Sequence, residues 1–245
     1  KLRIDRSGYA ANVMRANLFD NARELAKIGK PVDRSEWAYP PQVVNAYYDP
    51  SLNSINFLAG ILQPPFFDAS APASFNYGAI GAVIGHEITH GFDDQGSQFD
   101  GHGNLANWWA KEDSDKFKVG VDCVADQFSA YTVDGDLHLK GHLVTGEAIA
   151  DLGGLLLAYR AYHASPAFAN APTLEGYTPD QQFFLSFARF WAQSLRPEQA
   201  RAYAASDPHP PGQYRVNGTL ANIPQFAQAF GAPTGADNPK RCVIW

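Results

Sequence analysis

The sequence predicts an α+β domain in which helix dominates. Three features point there. Apolar residues recur at helical spacing through most of the chain, two short β-prone runs flank one turn-rich linker, and an apolar stretch at 78–85 runs directly into His86-Glu87-Ile88-Thr89-His90. A first helix is expected near 9–29. Val43-Val44-Asn45-Ala46-Tyr47-Tyr48 and Ser54-Ile55-Asn56-Phe57-Leu58, joined by Asp49-Pro50-Ser51-Leu52-Asn53, read as an antiparallel hairpin over 43–59. Further helices are expected near 77–92 and 107–130, then a short strand near 136–140 where residues 133–139 alternate. Residues 146–160 form the next helical pattern, followed by helices at 180–194, 197–204 and 222–230, the last closed by Gly231. Proline and glycine gather at 166–179, 207–218 and 231–239, which punctuates the helices without marking an interdomain linker, so one domain over 1–245 is expected.

Chemistry concentrates first at His86 and His90. Four residues apart on a helix, they lie one above the other on one face, where two imidazoles can grip one Zn²⁺. Glu87 sits on an adjoining edge, free to take a proton from water rather than to ligate, the arrangement of a metallopeptidase. Gly78, Gly81 and Gly85 in the apolar run before it admit close backbone neighbours, so the helix is expected to be buried. Past it, Asp93 and Asp94 offer carboxylates, one of which can accept the remaining ring N–H of a liganding His; the bland alternative is a solvated helix end.

A catalytic zinc takes a third protein ligand and keeps one position open. Glu147 is the best candidate, because it and Asp151 stand four apart on one face of an otherwise apolar helix. Bare carboxylates there are costly, whereas Glu147 on the metal and Asp151 on a liganding His satisfy both. An acidic first turn facing the helix dipole is the plainer account, better for Glu147 than for Asp151. Among the other histidines, His138 and His142 are separated by Gly141 and read as structural or surface residues; His102 belongs to a turn and His163 to a helix end. His209 differs: Pro208, Pro210 and Pro211 stiffen a loop of the kind that can hold a side chain over a site.

Composition agrees with a soluble globular enzyme. A hydrophobic fraction of 45% over 245 residues supports a packed core, and 18% charged residues is too few for a disordered chain. Net charge is −6 with no cluster of Lys and Arg, which argues against nucleic acid as a partner. No apolar run approaches the length needed to span a bilayer. No signal segment stands at the start, but a chain beginning at Lys1 leaves export open.

Several separated motifs, in order, resemble the neprilysin-like M13 zinc metallopeptidases over nearly the whole chain. They are Asn45-Ala46-Tyr47-Tyr48, Gly60-Ile61-Leu62-Gln63-Pro64-Pro65-Phe66-Phe67, the His86–His90 segment, the run from Gly146 to Asp151, Arg215-Val216-Asn217-Gly218 and the terminal Cys242-Val243-Ile244-Trp245. The resemblance implies a thermolysin-like zincin (gluzincin) fold and a zinc metalloendopeptidase acting on peptides. It implies one Zn²⁺ held by His86, His90 and Glu147, with Glu87 as general base and acid and Asp93 and Asp151 orienting the two histidines. It further implies that His209 stabilises the oxyanion and that Arg215 binds a substrate carbonyl and shapes the S1′ wall. Asn45 and Ala46 look like the strand that pairs with the substrate, and Phe66, Val83 and Trp191 like the S1′ pocket, whose chemistry favours a bulky apolar residue after the scissile bond; each is equally explicable as core.

The resemblance also implies a bond between Cys123 and Cys242, the only two cysteines, against the alternative of two buried free thiols. A disulfide favours the periplasm or the cell exterior. Family members are much longer, and their helical lid and N-terminal strand segment have no counterpart here, so a complementary N-terminal segment is an implied partner. Two other classes compete with the enzyme: a peptide-binding or partial catalytic fragment lacking full activity without the lid, and a structural zinc site. Intact Glu87 argues against a binding module, and the absence of a cysteine near either histidine argues against the structural site.

Overall fold

The computed structural model describes residues 1–6, 8–231 and 241–245, which divide into two compact units, 1–38 and 39–245. The first unit holds helix α1, Tyr9–Leu25. Asn12 fastens its start by exchanging hydrogen bonds with the backbone of Asp5, and Arg15 pairs with the Asp5 carboxylate at 3.2 Å. The helix stops short of the expected 29. Gly29 there takes a left-handed φ of 75°, a conformation that glycine adopts without strain.

The second unit begins with the hairpin. Strands β1 (Ala46–Asp49) and β2 (Ser54–Phe57) pair antiparallel with Ala46 opposite Phe57 and Asp49 opposite Ser54. The Asp49 side chain closes the turn by accepting from the backbone of Ser51 and Leu52. A continuous helical run then carries the motif: α2 (Ala73–Asn76), one π-helical turn at Tyr77–Gly81, α3 (Ala82–Thr89) and a 3₁₀ turn at His90–Phe92. After it come α4 (Lys111–Ser129) and a two-residue hairpin, β3 (Thr132–Val133) with β4 (Leu137–His138). Helix α5 (Gly141–Ala164) is followed by α6 (Pro166–Ala169), α7 (Pro179–Phe190), α8 (Pro197–Ser206), α9 (Gly212–Leu220) and α10 (Pro224–Phe230). Helix with a small antiparallel sheet is the architecture the sequence predicts.

Helix α5 is the axis of this unit. Thirteen of its 24 residues are buried, because its sequence is apolar on nearly every face. Leu152, Leu155, Ala158 and Tyr162 pack with Phe183, Phe184 and Phe187 of α7, while Val144, Ala148 and Ile149 pack with Val124 and Phe128 of α4. A smaller cluster of Ala46, Ile61, Ile80 and Val83 seats the hairpin on α3. Cys123 on α4 and Cys242 are joined by a disulfide, with Cα atoms 5.6 Å apart, so the two-thiol alternative falls.

Two further sequence expectations need correction. Helix α5 opens at Gly141 rather than near 146, so Glu147 lies in its second turn and an acidic first turn is not its setting. Residues 212–220, expected within a proline-rich loop, form α9; Pro211 precedes the helix, and its fixed φ suits that entry. Among the described residues no helix is long and apolar enough to cross a membrane.

Candidate metal centre

Helices α3 and α5 cross at two glycines. A Cβ built on Gly85 would lie 2.4 Å from the Gly154 carbonyl oxygen, and one built on Gly154 would lie 2.4 Å from the His86 nitrogen. Only glycine at both positions lets the backbones meet, and that contact sets His86 and His90 opposite Glu147.

Across the crossing, His86 Nε2 lies 3.4 Å from Glu147 Oε2, and His90 Nε2 lies 3.6 Å from Glu147 Oε1. The ligand-capable atoms of these three side chains all fall within 4.8 Å of one another. The other ring nitrogens are taken. His86 Nδ1 is 2.9 Å from Asp151 Oδ1, and His90 Nδ1 is 2.7 Å from Asp93 Oδ2. Each carboxylate can accept the Nδ1 proton, which leaves Nε2 facing inward as the atom for a metal to take. Asp93 is itself held by the backbone N–H groups of Gln95 and Gly96, and its neighbour Asp94 bonds Gln95 instead of an imidazole.

Arg215 binds the carboxylates from the far side. Its Nε and Nη2 each donate to Asp151 at 2.7 Å, and Nη2 also reaches Glu147 Oε2 at 3.0 Å. Its guanidinium stacks 3.7 Å over the Trp191 ring. Burial alone would raise Glu147, but the Arg215 charge, reinforced by His86, holds it well below the usual carboxylate range. Burial likewise disfavours charge on His86, yet Asp151 and Glu147 outweigh it and push the imidazole up to about 10. Glu87, one residue on, is raised by burial, and its Oε2 is buried without a hydrogen-bond partner.

The donor set suits a small divalent cation: two imidazole nitrogens, which give up any proton when they bind a metal, and one carboxylate, with no fourth side chain in the group among the described residues, match zinc in an open site. The orphaned Oε2 of Glu87 is a second sign, since a buried carboxylate oxygen is costly unless something is brought to it.

These residues line a cleft of about 670 Å³. Ala46 and Tyr47 of β1 and the preceding Asn45 line one wall, and β1 pairs with β2 alone among the described residues. Phe66, Val83 and Trp191 line the cleft, together with Phe190, which the sequence did not single out; the Phe190 ring packs against Phe66 at a tilt, with centroids 5.2 Å apart. Its signal was the spacing Phe183, Phe187, Phe190 on one face of α7. His209 overhangs Glu147, with Nε2 3.3 Å from Oε1 and Nδ1 2.8 Å from Asp207. Arg215 is on α9, not on the loop with His209. His142, read as a structural or surface residue, is exposed and lines the cleft.

Residues 45–241 match the model of peptidase family M13. The chain is 43% identical to an endothelin-converting enzyme homolog of Locusta migratoria, covering 100% of this chain and 34% of that protein. It is 42% identical to human endothelin-converting enzyme 1, covering 97% and 31%. Among solved structures, Mycobacterium tuberculosis zinc metalloprotease ZMP1 in complex with inhibitor superposes with a TM-score of 0.90 at 44% identity, covering 100% of this chain and 39% of that one. PepO from Lactobacillus rhamnosis gives 0.83 at 34% identity, covering 100% and 38%. The chain thus spans about a third of the length of the curated relatives it matches. With a family match that includes the hairpin, both crossing helices and α9, the chain belongs to peptidase family M13.

Proposed function

We propose that this chain is the catalytic part of a zinc-dependent endopeptidase that cleaves oligopeptides on the N-terminal side of bulky apolar residues. The convergence of His86 Nε2, His90 Nε2 and the Glu147 carboxylate beside an unpartnered Glu87 oxygen carries this reading. One zinc ion per chain, bound by those three side chains, would supply Lewis acidity toward water and the scissile carbonyl.

In this reading the chain's own groups do the rest. Glu87 accepts the proton of the attacking water at its unpartnered Oε2 and returns it to the leaving amine. His209 Nε2 donates to the developing oxyanion, with Asp207 on Nδ1 fixing that tautomer. Asp93 and Asp151 hold the two imidazoles in place. Arg215 keeps Glu147 and Asp151 charged through Nε and Nη2, and its Nη1, which pairs with no carboxylate among the described residues, is the donor left for a substrate carbonyl. The substrate adds as an extended strand along Asn45 and Ala46, its next side chain entering the pocket of Phe66, Val83, Phe190 and Trp191. The pocket's aromatic walls support the preference for a bulky apolar residue.

One catalytic domain over residues 1–245 and an extracellular or periplasmic location belong to this reading, the location on the strength of the disulfide. A partial catalytic fragment that needs a complementary N-terminal segment is the alternative, favoured by the third of its relatives' length that the chain spans. Metal analysis combined with cleavage of a peptide library tests both. Stoichiometric zinc, and cleavage lost to a chelator and restored by zinc, support the enzyme; zinc without turnover supports the fragment.

A further inference from the structure

The far end of α9 is fastened by two side-chain amides that take no part in the cleft. Gln127 of α4 donates from Nε2 to the Gly218 carbonyl at 2.9 Å, and Asn222, just past α9, donates from Nδ2 to the same carbonyl at 3.2 Å. The two amides also bind each other, with Asn222 Nδ2 2.7 Å from Gln127 Oε1. Asn222 Oδ1 accepts the backbone N–H of Cys242 at 2.9 Å. Three pieces of chain distant in sequence therefore meet at one pair, the buried Asn222 and the half-buried Gln127: the end of α4, the end of α9 and the disulfide-tied C-terminal segment.

The packing around the pair leaves α9 little freedom. A Cβ on Gly218 would lie 2.7 Å from Phe128 Cζ, so the helix rests directly on that ring. Gln127 Nε2 also reaches the Tyr131 hydroxyl at 3.0 Å, and the Tyr131 ring stacks at 4.7 Å on Tyr214, the residue before Arg215. Arg215 then delivers three contacts of 2.7 to 3.0 Å to Asp151 and Glu147. A forked guanidinium pairing of that kind is directional, and a shift of about 1 Å in its helix would break it.

We propose that Gln127 and Asn222 are positioning residues, which hold α9 so that Arg215 stays on Asp151 and Glu147. Their metal and kinetic consequences rest on the zinc peptidase reading, but the placement of Arg215 does not.

The test uses the whole chain carrying Asn222→Ala, with Gln127→Met as a second variant that keeps side-chain volume. The first readout is the Arg215 Nε–H proton resonance, which in the parent chain should exchange slowly with solvent because Asp151 buries it, and should exchange quickly in both variants. The second is zinc affinity, measured by competition against a chromophoric chelator, which should weaken on the order of tenfold. In an Arg215→Ala background the same substitutions should leave zinc affinity within about twofold, because their effect passes through the residue already removed. A merely structural role would lower Tm equally in both backgrounds with Arg215 exchange unchanged in folded protein, and that result overturns the proposal. Parent chain that binds no zinc but shows the exchange effect would refute the peptidase reading and leave the positioning role standing.

Discussion

Gly85 and Gly154 touch backbone to backbone, and the convergence of His86, His90 and Glu147 depends on that contact. A methyl group at Gly154 would sit 2.4 Å from the His86 nitrogen and 2.8 Å from the Ala82 carbonyl oxygen, with rigid helix on both sides. Gly154→Ala should therefore force α3 from α5, destabilising by roughly 1–3 kcal/mol or more and lowering zinc content. Gly101→Ala, whose Cβ would meet nothing closer than 3.9 Å, is the control and should stay within about 0.5 kcal/mol of the parent. Thermal unfolding and metal analysis on the two variants check this; a Gly154→Ala chain with normal zinc and Tm would show that the helices can part at no cost to the site.

Ligand and base should separate on substitution. Glu87→Gln should retain zinc, since its carboxylate is not one of the converging three, while peptide cleavage falls by several orders of magnitude. Glu147→Ala should lose zinc. Metal content of the purified variants decides: zinc lost from Glu87→Gln, or kept in full by Glu147→Ala, would reverse the assigned roles.

How much of this was legible in the sequence depends on how local the determinant is. The His86–His90 pair follows from helical spacing alone, and the hairpin from two β-prone runs around Asp49-Pro50, because both are set by neighbours in sequence. Helix α9 was not legible in the same way. Pro208, Pro210 and Pro211 read as loop, and Gly218 counts toward the same proline- and glycine-rich stretch, yet Gly218 is there because Phe128 lies against it. The true start of α5 was hidden similarly: Gly141 looks like a breaker, but a Cβ there would lie 1.9 Å from the Ala125 carbonyl oxygen of α4. In both places glycine answers to a distant packing partner, which no local pattern reveals. The carboxylates Asp93 and Asp151 were visible as candidates, whereas their capture by backbone amides and by Arg215 appeared only with the fold.

His209 and Arg215 should differ kinetically. His209 is half exposed at the rim of the cleft, and His209→Ala should lower kcat by the order of 10²-fold typical of one lost oxyanion donor, with little change in KM. Arg215→Ala should weaken both substrate binding and zinc affinity, because it strips the half-buried Glu147 and the buried Asp151 of their counter-charge. Steady-state kinetics showing a KM effect alone at His209 would remove the oxyanion role.

The disulfide makes the last prediction. Cys123 and Cys242 are 119 residues apart in sequence, so the bond closes most of the second half of the chain into one loop. In the chain-entropy treatment a loop of that size stabilises by roughly 4 to 5 kcal/mol, with less expected where the unfolded chain keeps structure. Cys123→Ala/Cys242→Ala should accordingly unfold at lower denaturant concentration. It should also loosen the C-terminal segment whose Cys242 N–H sits on Asn222, and with it α9. Thiol counting on denatured, non-reduced protein should find no free thiol, and equilibrium unfolding of the parent and the double variant should separate by several kcal/mol. Two free thiols per chain would remove the bond and the chemical argument for an oxidising compartment; an intact bond with equal unfolding midpoints would show that other contacts already hold the tail.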